Sequence, residues 1–313
     1  MLGKTANGMF WMFRNFERAE NVTRLIDAGL RMALTRSREA DSEWRSVLAV
    51  TGGVAAFEAA GRELDGAQVA DWLLRGRDNA ASVRAMIAGT RTNARLVRTA
   101  ITRELWEAVN ECWLVIDELL RRAVPMRDLS DVLGIVRRQS GLVRGALHGT
   151  MLRNDIYNFA RLGTFVERAD NTARILDVKY HVLLPSVSYV GSSLDNVQWD
   201  NILRSLSGQS AFRWLNEGRP SPAGITHFLI FDRRFPRSLA FCLAKTRENL
   251  GHLASSYGER LPAHDRADAL AGRMAALDID SIFERGLHQF IGEFIACNAA
   301  LGRQIETDYR FYA

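Results

Sequence analysis

"FERAENVTRLID", residues Phe16 to Asp27, sets glutamates, arginines and an aspartate among apolar positions, and nearly the same words return as "FVERADNTARILD", Phe165 to Asp177. Around the first copy, Met9, Met12, Phe13, Phe16, Ala19, Thr23, Ile26, Leu30 and Ala33 share one arc of a 3.6-residue wheel, while Trp11, Val22, Leu25 and Met32 fall on the opposite side. A helix that is apolar on two sides packs on two sides. Each copy of the phrase therefore predicts a central helix that carries charge into the core.

The surrounding sequence agrees with a helical protein. Proline is absent before Pro125, and apolar residues recur at spacings of three and four through long stretches rich in helix formers. Helical patterns are expected over 43–60, 67–76, 79–99, 101–122, 128–150, 155–184, 196–216, 237–256, 263–276 and 279–310. Breaks are expected at Pro125, at Pro185, around "EGRPSPAG" and at Pro262. No strand pattern emerges, so the fold class is all-α, a multi-helix bundle.

Internal repetition organises that bundle. Glu17, Arg18, Ala19, Asn21, Arg24 and Asp27 recur as Glu167, Arg168, Ala169, Asn171, Arg174 and Asp177, an offset of 150. "WRSVLAVTGGVAAF" from Trp44 matches "WDNILRSLSGQSAF" from Trp199 at offset 155, and "SVRAMIAGTRTN" from Ser82 matches "SLAFCLAKTREN" from Ser238 at offset 156. Three collinear blocks imply one domain over 1–313 built from two copies, about 1–150 and 151–313, related by a pseudo-two-fold axis with the charged helices facing each other.

Composition bounds the function classes. With 47% hydrophobic residues in 313, the chain can bury a large core. No run approaches the roughly 20 apolar residues of a membrane span, and the opening segment reaches charges before a signal-type stretch forms. A cytoplasmic protein without membrane contact is expected. Cys112, Cys242 and Cys297 lie far apart, with no metal-ligand spacing, and read as small core residues. The net charge of +5 comes almost wholly from arginines, which alternate with acids along the helices. That pattern reads as solvated faces and internal ion pairs, and a nucleic-acid surface is the less favoured reading.

Within the repeated phrase, the wheel places Glu20 and Asp27, and likewise Asp170 and Asp177, inside the apolar arc. A buried carboxylate is costly unless paired. Glu20 precedes Arg24, and Asp170 precedes Arg174, in the favourable acid-first i,i+4 order. Glu17, Asn21 and Arg24 form a polar strip flanking the arc, repeated as Glu167, Asn171 and Arg174, while Arg18 and Arg168 are expected to point away, toward the second face. Two readings follow. The residues form a buried network that fixes how the helices dock, or they line a cleft. In a cleft Glu17 or Glu167 would serve as acid or base, with arginines holding an anionic or amino-acid substrate.

Other chemistry finds little support. Glu17 with Glu20 and Glu167 with Asp170 place carboxylates one turn apart, as in di-iron bundles. Those sites need Glu-x-x-His pairs, and His148, His181, His227, His252, His264 and His288 are scattered, none with an acid three residues before it. There is no nucleophile elbow, phosphate loop or dinucleotide fingerprint, so neither a metal nor a cofactor is expected. The glycine pair in "TGG", Thr51 to Gly53, reads as close helix packing. Thr90, Arg91 and Asn93, repeated as Thr246, Arg247 and Asn249, read as structural or solvated, with contact to the central helices or an anion as the alternative.

At "MLGKTANGMFWMFRNFERAENVTRLID", "RLGTFVERADNTARILD", "FPRSLAFCLAKTRENL" and "LHQFIGEFIACNAALGRQIETDY", the chain resembles the bacterial alpha-E family, helical proteins named for a recurring Glu-Arg motif. The resemblance spans essentially the whole chain, and it carries the motif onto Glu17, Arg18 and Glu20, and onto Glu167, Arg168 and Asp170. It implies association with a circularly permuted ATP-grasp protein, an enzyme class that joins carboxylates to amines, and with a transglutaminase-like protease. The resulting expectation is a non-catalytic helical partner of an amide- or peptide-ligating system. An enzyme or ligand-binding protein with its site between the Glu-Arg helices is one alternative, and a nucleic-acid-binding helical protein is another.

Overall fold

The computed structural model describes residues 3–35, 40–181, 193–216 and 220–312. The expected helix end over 182–184, the break at Pro185 and the "EGR" of "EGRPSPAG" lie outside the described residues, as do the side chains of Met32, Ala33 and His181. All regular structure among the described residues is helical. The helices are α1 (Gly3–Thr35), α2 (Ala40–Val50), α3 (Val54–Ala59), α4 (Gly66–Arg75), α5 (Val83–Leu96), α6 (Arg103–Leu119), α7 (Leu129–Thr150), α8 (Asp155–His181), α9 (Ser193–Ser205), α10 (Gln209–Leu215), α11 (Pro222–Phe231), α12 (Leu239–Tyr257), α13 (Pro262–Ala275), α14 (Ile279–Arg285) and α15 (Leu287–Asp308). None of the described helices is long and apolar enough to cross a membrane.

Local chemistry starts six of these helices. Asp65, Ser82, Thr102, Ser221, Ser238 and Asp278 each accept a hydrogen bond from a backbone N–H of the first turn, satisfying a donor that the helix itself leaves unpaired. Three expected helices are broken where a residue turns left-handed. Gly52 at φ 70° separates α2 from α3, Ser207 at φ 54° separates α9 from α10, and Gly286 at φ 100° separates α14 from α15. The "TGG" expectation is thereby corrected: Gly52 supplies a conformation that side chains disfavour, and the pair serves a turn rather than close helix packing. The same turn stands at both ends of the matched Trp44 and Trp199 blocks, since Gly53 N–H donates to the Leu48 carbonyl at 2.9 Å and Gly208 N–H to that of Leu203 at 2.6 Å.

Helix α11 falls where only a loop was expected. Ser221 caps it, Pro222 occupies the first turn, and Ile225, Phe228, Leu229 and Ile230 are buried. Because it is apolar all round, it shows no amphipathic stripe.

The two phrase-bearing helices, α1 and α8, form the centre and pack along each other. α5 and α7 cover α1, and α12 and α15 cover α8. They approach closely at Gly163, where a Cβ would lie 2.1 Å from the Phe10 carbonyl oxygen, so only glycine fits. Phe10, Phe159 and Phe311 cluster beside this crossing, with Phe10 and Phe311 centroids 5.4 Å apart, and tie the end of the chain to both central helices.

Candidate functional site

Where α1 crosses α8, the repeated residues meet and exchange partners. Glu17 accepts from Arg168 Nε at 2.8 Å and Nη2 at 2.9 Å. In return Glu167 accepts from Arg18 Nε at 2.5 Å and Nη2 at 2.8 Å. Each pair is bidentate, the geometry in which a guanidinium fork matches a carboxylate best. Arg18 and Arg168, expected to point toward the second face, each meet the glutamate of the other helix. The wheel gives directions about one helix's own axis, and at this crossing the neighbouring helix occupies the direction in which each arginine points.

Glu17 is enclosed further. Arg237, placed by the turn before α12, donates Nη1 to Glu17 Oε1 at 2.9 Å and to Asn21 Oδ1 at 2.9 Å, and Nη2 to Glu20 Oε1 at 3.1 Å. Arg144 of α7 lies 3.5 Å from Glu17 and donates to Glu20 Oε2. Arg24 completes Glu20 with Nε at 3.1 Å and Nη2 at 2.7 Å, and also donates to Ser207 Oγ. The turn carrying Arg237 is held in place by Thr172 Oγ1, which donates to the Arg237 carbonyl at 2.8 Å, and by Arg168 Nη1, which donates to that of Pro236 at 3.3 Å.

The second copy is built more sparely. Beyond Arg18, Glu167 receives Arg14 Nε at 3.1 Å, and Asp170 has the expected Arg174, with Nε at 2.7 Å. Asn171 makes no side-chain hydrogen bond among the described residues. Burial also departs from the wheel reading. Glu17, Glu20, Asn21 and Glu167 are buried, whereas Asp27, Asp170 and Asp177 sit half-buried at the rim. There Asp27 meets Arg31 and Arg137, and Asp177 accepts from His288 Nδ1 at 2.5 Å.

These contacts fix the charge states. Burial alone would raise the Glu17 pKa, but Arg168, Arg237 and Arg144 outweigh it and hold the carboxyl far below its ordinary value. Glu167 is likewise lowered, burial being overcome by Arg18 and Arg14. Glu20 is lowered too, with Arg144, Arg237 and Arg24 prevailing over burial and over repulsion from Glu17. Burial pushes the Arg237 guanidinium down to about 10, so it remains cationic at neutral pH.

A cavity of about 250 Å³ opens between the two phrases, and another of about 350 Å³ lies beside Arg24 and Asp27. Arg18 and Asn21 of α1, Glu167, Asp170, Asn171 and Arg174 of α8, the Thr51–Gly52 turn and Ala81 line the former, whereas Glu17 and Glu20 do not. All ten motif residues thus belong to one region, divided into a sealed half around Glu17 and an open half around Glu167. The sequence reading missed Arg14, Arg144 and Arg237. Arg14 lies one turn before Arg18, and Arg237 immediately precedes the matched block at Ser238, which were available signals. Arg144 carried none.

The remaining candidates act structurally. Thr90 Oγ1 donates to the Met12 carbonyl of α1 at 3.3 Å, Arg91 donates to Asn110, and Arg247 donates to Asp268. Among the described residues no cluster of three metal-ligating side chains occurs.

Residues 1–309 match the sequence model of the Alpha-E family, described as a predicted alpha-helical domain with a conserved ER motif. The chain belongs to that family. No curated protein and no solved structure matches it.

Proposed function

We propose that this Alpha-E protein is a non-catalytic helical partner, an accessory subunit of an ATP-grasp-type amide- or peptide-ligating system, with its crossed Glu-Arg helices as the spine. The observation that carries the non-catalytic reading is the enclosure of Glu17. Its carboxylate sits under Arg168, Arg237 and Arg144 and is held ionised, whereas a general acid or base works best with a pKa near the operating pH. The thiols of Cys112 and Cys242 are pushed up to about 12 by burial, far from nucleophile range. The partner class comes from the family resemblance drawn on the quoted motifs.

The same reading includes duplication. The reciprocal Glu17–Arg168 and Glu167–Arg18 pairs, the turns at 51–53 and 206–208, and the serine caps at 82 and 238 support two copies about an approximate two-fold axis. In a docking role, such a network sets the register of the two helices more than it adds stability.

Native mass spectrometry of the chain mixed with the ATP-grasp protein is expected to show a complex at about micromolar concentration. Glu17→Gln is expected to lower thermal stability without abolishing ligation by the reconstituted system. No complex, or a folded Glu17→Gln protein that has lost all ligation, counts against the reading.

A further inference from the structure

Among the aligned positions at which the two halves of the site differ, one decides which half holds an internal guanidinium against Asn21 or Asn171. The matched blocks begin at Ser82 and Ser238, both helix caps, so the preceding residues Ala81 and Arg237 correspond. Arg237 fills the sealed half, bridging Glu17, Asn21 and Glu20 with one guanidinium. Ala81, its counterpart, lines the cavity of about 250 Å³ in the open half, where Glu167, Asn171 and Asp170 stand in the corresponding places. We propose that this cavity binds a guanidinium group from outside the chain, which occupies the position opposite Arg237 and donates to Glu167, Asn171 and Asp170. The proposal rests on the duplication reading given above and is independent of the ATP-grasp partner.

The acceptors support it in detail. Glu17 Oε1 accepts from both Arg168 and Arg237, whereas Glu167 Oε1 accepts from Arg18 alone and retains a lone pair. The Asn21 carbonyl oxygen is used by Arg237, and Asn171 is without a side-chain partner among the described residues. The sealed half sets Arg24, Arg144, Arg168 and Arg237 against two carboxylates. The open half sets Arg14, Arg18 and Arg174 against two, and Ala81 leaves the place of Arg237 without a guanidinium.

Size and shape narrow the ligand. The cavity is smaller than the roughly 300–1,000 Å³ clefts of drug-sized ligands, which suits a side-chain-sized group. A planar fork can reach three acceptors at once, which a compact ammonium does less well. Arg18 and Arg174 each turn one fork onto a carboxylate of the cavity, Glu167 and Asp170, and sulfate tests whether their remaining donors hold an anion instead. The gly-exposed rim at Gly52, together with half-exposed Arg18 and Arg174, provides the entrance.

Calorimetry and thermal-shift titration of the full chain with butylguanidinium test the proposal, with butylammonium and sulfate in parallel. Saturable binding of butylguanidinium is expected, at least about tenfold tighter than butylammonium, and it should fall at least about tenfold in Ala81→Arg and in Asn171→Leu. Ala81→Arg should itself raise the melting temperature by supplying the group internally. Acetyl-Gly-Arg-Gly-amide separates the sources: tighter binding than butylguanidinium assigns a peptide arginine, and equal or weaker binding a small guanidine. No saturation at about 10 mM, binding that survives in both variants, or displacement by sulfate overturns the proposal. A stabilised Ala81→Arg with no butylguanidinium binding to the parent chain refutes the ligand and leaves the duplication intact. Binding lost in Asn171→Leu while Ala81→Arg is destabilised refutes the correspondence with Arg237 instead.

Discussion

Replacing Glu17 with glutamine keeps the side chain's shape and removes its charge. In the parent protein that carboxylate is 1% exposed and lies against Arg168 and Arg237, whose side chains are 10% and 8% exposed, with Arg144 behind them. The substitution leaves Arg168, Arg237 and Arg144, with Arg24, sharing Glu20 as the one remaining carboxylate, and Arg168 and Arg237 are nearly buried. Removing one partner of a buried ion pair costs about 3–5 kcal/mol, chiefly because the remaining charge stays buried without compensation. Unfolding entropy is about 2.1 cal/mol/K per residue, or about 0.7 kcal/mol/K over 313 residues, so the melting temperature should drop by about 5–8 °C.

Glu167→Gln is the internal control. Its partners are less confined, since the Arg18 side chain is 36% exposed and can turn into water, so the loss should be nearer 1–3 kcal/mol, or about 2–5 °C. Circular dichroism melts and urea titrations of both variants give the comparison. Pairing Glu17→Gln with Arg168→Met should cost less than the sum of the single losses, because the double variant removes the stranded charge. Equal losses at the two glutamates, or a smaller loss at Glu17, would refute the claim that enclosure by Arg237 and Arg144 distinguishes the halves.

Three further outcomes are expected. Glu17, Glu20 and Glu167 are all held below the ordinary carboxyl value of 4.5, so their stabilisation is complete above that pH and is lost as pH falls through the folded-state values. Melting temperature should therefore be flat between about pH 6 and 8 and decline below about pH 5, with the gap between parent and Glu17→Gln closing in acid. Gly163→Ala, whose Cβ would press on the Phe10 carbonyl, should cost more than about 3 kcal/mol in urea titration, whereas Gly145→Ala on the exposed side of α7, with no atom nearby, should gain about 0.5–1 kcal/mol. A thiol reagent at about pH 8 should label half-buried Cys297 rapidly and Cys112 and Cys242 only after denaturation, because burial pushes their thiols up to about 12.

Much of the architecture was legible because it is local. Helical period, missing proline and serine or threonine caps are written within a few residues of each element, and the two-sided apolar wheel of α1 announces a central position. The errors have local causes too. Ser207 adopts φ 54° without being glycine, so nothing in its identity marks the break between α9 and α10. The capped, proline-led start of α11 was hidden because its surroundings read as a loop.

The site resisted for a different reason. Its pairs between helices join residues 124 to 220 positions apart, and a wheel cannot say which neighbour stands in a given direction. Arg18 and Glu167 could be named as motif residues, yet their partnership depends on a crossing permitted by Gly163. The feature that divides the site into halves was nevertheless present in the text. Reading the Ser82 and Ser238 blocks one residue further upstream sets Ala81 against Arg237. A methyl on one side and a guanidinium on the other leave a cavity beside Glu167 and fill the corresponding place beside Glu17.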